Sequence, residues 1–494
     1  MSRVAHPAGP WHADVLPPGY PPPVPADLNA LDPAIWPRTA RRSGGTVVIG
    51  GISVIDLAER FGTPLFACDE ADFRARCREF HAAFGPGAGV SYAAKAFCCR
   101  TVLRWATQEG LGVDVCTGGE LEVALGAGVR PEKITLHGSN KLADELERAL
   151  AVGVGHIVAD SFDEIGRLAA LTSPSGASPS GVSPSGASPS GASPSGASPQ
   201  GNSPAARGRR PRVLVRVTTG VEAAAHEFVA TAHDDQKFGF SLASGAADEA
   251  VRRVLASPGL HFAGLHSHIG SQIYDTAGFE VAAHRVIEFA VRIRDEHGIS
   301  IEELNLGGGF GIAYTAGDDP ADVRAIARGL RDIVEQACRS AGLPRPRVSV
   351  EPGRAIAGPG TITVYRVGTV KDVDGLRTYV SIDGGMSDNI RTALYDADYT
   401  CVLASRESAA PPMLSRIVGR HCESGDIVVR DAYLPADTAA GDLVAVAATG
   451  AYCRSMASNY NHVLRPPVVA VAGGEAMLML RRETIEDVLS LDAG

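Results

Sequence analysis

From Asp69 to about Glu351 the chain alternates short apolar runs with longer stretches in which apolar positions recur every three or four residues. The apolar runs read as strands: GVSYAAKA, GLGVDVCT, KITLHGS, HIVADS, RVLVRV, HFAGLHSHI, IEELNLGGG and RVSVEPG. Between them ADFRARCREFHAAF, CRTVLRWATQEG, GGELEVALGAG, LADELERALAVG, SFDEIGRLAALT, FEVAAHRVIEFAVRIRDEHG and DVRAIARGLRDIVEQACRSAG carry helical spacing. Strand then helix, repeated about eight times, predicts an α/β fold with a parallel sheet. Eight such units in roughly 250 residues predict closure into a (β/α)8, TIM-like barrel. After Glu351 the pattern changes. TITVYRVGTVKDV, RTYVSIDGG, DIVVRDAYL and DLVAVAAT read as hairpin-forming strands without helices between them, which predicts a mostly β C-terminal domain. The strands near residues 45–68 are expected to join it.

Two stretches break the pattern. Residues 1–40 contain PPGYPPPVP and predict a mobile tail or a strap along the surface. SPSGA or SPSGV recurs five times from Ser173 to Ala197, with no charge and no large apolar residue beyond Val182. Such a segment cannot offset its ordering entropy by burial, so residues 172–208 are expected to form a disordered insertion in a surface loop. The expected domains are then a tail at 1–40, joining strands at 41–68, a barrel at 69–351 and a β domain at 352–494 that completes the active site.

Composition narrows the function. Of 494 residues, 45% are hydrophobic and 21% charged, enough to bury a sizeable core. The formal net charge of −10 argues against nucleic acid or an anionic membrane as partner. No apolar run approaches the ~20 residues of a membrane span, and the N-terminus has no apolar signal region. The nine cysteines form no CxxC pair, so reduced thiols in the cytoplasm are expected rather than a disulfide framework or a zinc site.

Residues with chemistry fall where barrel strands end. Lys95 follows GVSYAA, where desolvation would depress its pKa and free the amine for a Schiff base; taken alone it also fits a surface lysine. Gly307, Gly308 and Gly309 end IEELNL and can crowd backbone N–H groups around a phosphate, although a glycine turn by itself is often only a turn. HSHIGSQ places His266 and His268 two apart. A metal pair is conceivable, but no third ligand is near in sequence, so no metal is expected; an imidazole stacked on a flat ring is the alternative. Ser271 in the same turn can bond a phosphate. Glu351 ends RVSVEP and needs a cationic partner, either a protonated pyridine nitrogen or Arg354. CESGD sets Cys422 beside Glu423 and Asp426, where a neutral thiol is suited to donating a proton; an ordinary loop is the other reading. Lysine, glycine turn and glutamate together suit pyridoxal phosphate.

Nine motifs in order strengthen this: SYAAKAF, DVCTGGEL, HDDQKFGF, GLHSHIGSQI, LNLGGGFGIAY, EPGRAIAGPG, DGGMSDNIRTALYDA, GRHCESGD and TGAYCRSMASNYN. Over about residues 45–485 the chain resembles the fold-type III, alanine-racemase-like pyridoxal-phosphate decarboxylases, and among them the diaminopimelate decarboxylases. The resemblance implies that Lys95 carries the cofactor as a Schiff base and that His268 stacks on its ring. It implies that Ser271, Gly307, Gly308, Gly309 and Tyr452 hold the phosphate and that Glu351 pairs with the ring nitrogen. It assigns Arg354, Arg391, Tyr395 and Tyr452 to the substrate, Glu423 to its distal ammonium, and reprotonation of Cα to Cys422 or a group close to it. Cys422 and Glu423 are expected from the partner subunit of a homodimer with shared active sites. The implied reaction, through an external aldimine, converts meso-2,6-diaminopimelate to L-lysine and CO2, the last step of lysine biosynthesis. Phe97 stands where the lysine motif often has Asn, and the region after Leu171 is enlarged. Two rivals remain: a decarboxylase of ornithine or arginine, which would leave Arg354 and Arg391 without a purpose, and a noncatalytic cofactor carrier.

Overall fold

The computed structural model describes residues 21–173, 210–221, 237–373 and 377–494. The SPSGA repeats, the first twenty residues and the HDDQ of HDDQKFGF lie outside the described residues. Eight parallel strands form the barrel: β1 (Gly89–Ala93), β2 (Gly112–Val115), β3 (Ile134–Leu136), β4 (His156–Ala159), β5 (Arg212–Thr218), β6 (His261–His266), β7 (Glu303–Asn305) and β8 (Arg347–Val350). Each pairs with the next, and β8 pairs back to β1, so the sheet closes. All eight are the strands expected from the apolar runs.

The barrel's two-residue period explains where its polar groups go. Ile134, Leu136, Ile157, Ala159, Val213, Val215, Leu265, Leu304, Val348 and Val350 join the large core with the surrounding helices. The alternating positions face the barrel interior. There Val158, Leu214 and Ala263 make a small apolar cluster of their own. One step toward the C-terminal ends, the same face carries Asp114, His137, Asp160, Arg216, His266, Asn305 and Glu351, all buried. A dry plug below and a polar ring above thus follow from one alternation.

The connecting helices begin on side-chain caps: Asp69, Thr117, Ser161 and Asp322 each accept a backbone N–H of the first turn. The sequence pattern did not single out the helix Ala246–Leu255, whose buried face is Ala247, Ala250, Val251 and Val254. Small alanines make a weak apolar stripe, and packing supplies what the pattern lacks.

In the second domain, Leu65–Asp69 pairs with both Thr361–Val373 and Val468–Ala472, so an N-terminal strand is built into the β sheet. Residues 41–53 form a separate three-stranded sheet whose Val47 and Ile49 share a core with Val364 and Val402. Short helices at Arg354–Ala357, Arg391–Tyr395 and Ile485–Leu489 interrupt what the sequence reads as strands alone. Residues 21–40 form a strap: Ile35 and Trp36 are buried, Tyr433 donates to the Pro22 carbonyl at 2.9 Å, and Arg38 reaches Glu79 at 2.6 Å. Among the described residues no helix is long and apolar enough to cross a membrane. The nine cysteines are free thiols.

Candidate active site

Strand β1 runs into a single turn, Ala94–Ala96, that carries Lys95. Ala94 and Ala96 are buried while solvent reaches the Lys95 side chain, although protein encloses the amine on most sides. The expected depression of its pKa is not what the structure gives. Burial does pull the ammonium down, but Cys116, Asp114, Tyr452 and Glu351 outweigh it and hold Lys95 above the usual lysine range. Groups brought in from other strands reverse the sign that desolvation alone implies.

Three strand ends converge on Glu351, the residue after β8. His137, directly after β3, sets Nε2 2.7 Å from Glu351 Oε1. His266, at the end of β6, sets Nε2 3.3 Å from Oε2. Asn305, at the end of β7, donates Nδ2 to Oε1 at 2.7 Å. The Asn305 amide has one sensible orientation, since its Oδ1 accepts the Gly307 N–H at 2.8 Å. Burial pushes the Glu351 carboxyl up, but the charges and hydrogen bonds of His137 and His266 hold it well below the usual carboxylate range. Burial lowers His266 to about 4, which leaves it a neutral imidazole at pH 7. Arg354, the alternative partner for Glu351, points elsewhere. The His266–His268 pair gains no third metal ligand; His266 groups instead with His137 and Glu351, whose ligand atoms lie within 4.8 Å of one another, with His266 hydrogen-bonded to Glu351.

The turn after β7 needs its glycines. Gly307 and Gly309 have φ of +70° and +98°, and a Cβ on Gly308 would lie 2.3 Å from the Glu351 carbonyl oxygen. Only part of it is open to a ligand. The Gly307 N–H is taken by Asn305, and the Gly308 N–H donates to His268 Nδ1 at 3.1 Å. Among the described residues the Gly309 N–H meets no acceptor. The bond to Gly308 makes His268 Nδ1 the acceptor, which fixes its tautomer and ring direction. His268 lies in the loop beyond β6, so His266 and His268 do not share a strand face.

Arg354 Nη2 donates to Ser271 Oγ at 2.7 Å and Nη1 to the Tyr314 hydroxyl at 2.6 Å. Its guanidinium lies 4.9 Å from the Tyr452 ring centroid. Arg391 Nη1 donates to the Tyr399 hydroxyl at 2.6 Å and lies 4.8 Å from the Tyr314 ring centroid. Ser271, Tyr314, Arg354, Arg391 and Tyr395 line one cavity of about 280 Å³. The cavity's Asp318 is engaged by the Tyr274 hydroxyl and the backbone of Tyr314 and Thr315. Both buried guanidiniums therefore bond to hydroxyl oxygens rather than to a carboxylate, and both keep a buried Nε without a partner among the described residues. Two such cations at one cavity call for an anion.

Cys422 and Glu423 are exposed, and neither lines that cavity. Their loop is nonetheless fixed: buried Asp426 accepts the N–H groups of Met386 at 2.6 Å and His421 at 2.7 Å. His137, Asn305, Tyr314 and Tyr399 were not singled out in the sequence. A histidine ending KITL and a tyrosine after GGGFGIA were the available signals.

The residues present fit pyridoxal phosphate. An accessible amine suits an aldehyde, a buried anionic Glu351 suits a protonated ring nitrogen, and the Gly309 N–H, Ser271 and Arg354 supply donors for a phosphate. Residues 70–358 match the family model described as "Pyridoxal-dependent decarboxylase, pyridoxal binding domain". The chain is 55% identical over 475 residues to diaminopimelate decarboxylase of Mycobacterium tuberculosis, covering 94% of this chain and 99% of that one. It is 41% identical over 451 residues to diaminopimelate decarboxylase of Bacillus subtilis, covering 91% and 95%. The crystal structure of diaminopimelate decarboxylase from M. jannaschii in complex with L-lysine superposes with a TM-score of 0.80 at 28% identity, covering 92% of this chain and 98% of that one. By fold, site and relatives, the chain belongs to the pyridoxal-dependent decarboxylases, and within them to the diaminopimelate decarboxylase family.

Proposed function

We propose that the chain converts meso-2,6-diaminopimelate to L-lysine and CO2. The observation that carries this is the pair of buried guanidiniums, Arg354 and Arg391, on one cavity with Tyr395. A substrate with a distal carboxylate gives both cations a partner, whereas ornithine and arginine have none to offer. The complex of the M. jannaschii relative with L-lysine supports the same product.

Bound pyridoxal phosphate supplies the ring that accepts the electron pair left when CO2 departs. The protein's own residues do the rest. Lys95 is the amine that holds the cofactor's aldehyde carbon. Glu351 keeps a proton on the ring nitrogen, a task for a carboxylate that stays anionic. His268, fixed by the Gly308 N–H, covers the ring face. Ser271, the glycine turn and Tyr452 hold the phosphate, and Arg354 bridges that group to the substrate cavity through its bond to Ser271. Arg354, Arg391 and Tyr395 clamp the distal carboxylate. With the cofactor bound, the grip of Arg354, Arg391 and Tyr395 on the distal carboxylate would orient the substrate for loss of CO2.

Cys422 and Glu423 act from the second subunit of a homodimer, the thiol returning a proton to Cα and the carboxylate receiving the distal ammonium. Their exposure on a rigid loop supports this role. Nine free thiols support a reducing, cytoplasmic setting. The test is CO2 release from meso-diaminopimelate, L-ornithine and L-arginine in parallel, with cofactor added. Turnover confined to meso-diaminopimelate with L-lysine as product is expected; preference for ornithine or arginine would reject the reading.

A further inference from the structure

Glu351 is met by side chains from three different strands, and two of them, His137 and Asn305, have no part in the function described so far. Both contacts fall on one oxygen. Oε1 takes His137 Nε2 at 2.7 Å and Asn305 Nδ2 at 2.7 Å, whereas Oε2 has only the 3.3 Å approach of His266 Nε2. Oε1 is thus closely flanked by two side chains, and Oε2 is the more open oxygen.

The same network reaches the phosphate turn. Asn305 holds Gly307 through Oδ1 and Glu351 through Nδ2. The Gly307 carbonyl in turn accepts the Glu351 N–H at 2.8 Å. One amide therefore registers the glycine turn against the carboxylate. Behind His137, Asp114 Oδ1 approaches the same Nε2 to 3.6 Å, too far to take its hydrogen, and the His266 ring centroid lies 4.8 Å from that of His137. Lys95, Asp114 and Arg216 are the other charged groups that act on this cluster.

We infer that His137 and Asn305 are positioning residues that fix the Glu351 carboxylate with Oε2 toward the cofactor's ring nitrogen, and that Asn305 also sets the spacing between that carboxylate and the phosphate turn. The inference rests on Glu351 being the partner of the ring nitrogen. A merely structural role would require the cluster to satisfy a buried charge and nothing more.

Full-length His137→Leu, His137→Gln, Asn305→Ala and Glu351→Gln separate these possibilities. Three quantities are read: the dissociation constant for pyridoxal phosphate, the pH titration of the bound cofactor's absorbance, and thermal unfolding without cofactor. His137→Gln keeps an N–H donor; His137→Leu does not. Loss of one bond to a charged group should weaken cofactor binding about ten- to a hundredfold in His137→Leu and Asn305→Ala, with His137→Gln within about threefold of wild type. The absorbance titration should move in the direction seen for Glu351→Gln. If Glu351→Gln moves both readouts while His137→Leu and Asn305→Ala unfold normally and match wild type, the positioning role is wrong. A glutamine variant as impaired as the leucine variant would also overturn it. Should Glu351→Gln itself change neither readout, the underlying assignment of Glu351 falls instead.

Discussion

The backbone N–H of Tyr452 donates to the Ala96 carbonyl at 2.8 Å, bonding the β domain to the residue that follows Lys95. Tyr452 holds φ at +60°, a conformation that a non-glycine residue keeps only where its surroundings enforce it. Its ring lies under Arg354, which in turn bonds Ser271 of the barrel. The Lys95 turn, the Ser271 loop and the cavity lined by Arg354 are thus braced by one segment of the second domain.

Ser455 Oγ donates to the same Ala96 carbonyl at 2.9 Å. Because Tyr452 still satisfies that oxygen in its absence, Ser455→Ala should lose only about 0.5–1.5 kcal/mol of stability. Denaturant unfolding measures this, and cofactor absorbance should persist. A larger loss, or loss of cofactor, would mean that the lysine turn depends on Ser455 rather than on the tyrosine backbone.

Arg391 lies buried against Tyr399 and Tyr314. Arg391→Ala should leave cofactor absorbance intact and lower kcat/KM for meso-diaminopimelate by roughly 2–4 kcal/mol, on the order of thirty- to a thousandfold. Steady-state kinetics decides; an unchanged kcat/KM would remove Arg391 from the clamp.

The proposed sharing of active sites between two copies makes an arithmetic prediction. Lys95→Ala and Cys422→Ala chains, each inactive alone, should recover about a quarter of wild-type activity when denatured, mixed and refolded together, because half the dimers are mixed and each has one intact site. No recovery would place Cys422 in the same chain's site.

Asp388 anchors the loop that leads to Arg391: it accepts the Tyr365 hydroxyl at 2.5 Å and the Gly385 N–H at 2.8 Å. Burial raises it from 3.8 to about 7. Between those values the folded protein binds a proton that the unfolded chain has lost, so this group's contribution to stability falls as pH rises through the window. Asp388→Asn should therefore show a flatter stability profile than wild type from about pH 4 to about pH 7, and gain relative to it at the upper end. Parallel profiles in chemical denaturation would contradict the assignment.

Much of this was legible in the sequence, for identifiable reasons. The barrel strands stand out because their outward residues are uniformly apolar, and polar residues at their ends mark the mouth; Lys95, His268 and Glu351 were found that way. Arg391 and Tyr395 were found only through the resemblance, which also reassigned Arg354 from partner of Glu351 to the substrate, and the fold brings all three to one cavity. His137 escaped notice because its meaning lies in Glu351, on a strand far along the chain. The direction of the Lys95 shift was misjudged for the same reason: desolvation is local, but the opposing field is summed over residues from several strands. The Ala246–Leu255 helix hid behind alanines.

The most direct test of the central claim is borohydride reduction of the protein reconstituted with pyridoxal phosphate, followed by peptide mapping. The account predicts one stable cofactor adduct, on the peptide containing Lys95, and no adduct at that peptide in Lys95→Ala. An adduct on a different lysine, or none at all in protein that turns over meso-diaminopimelate, would contradict it.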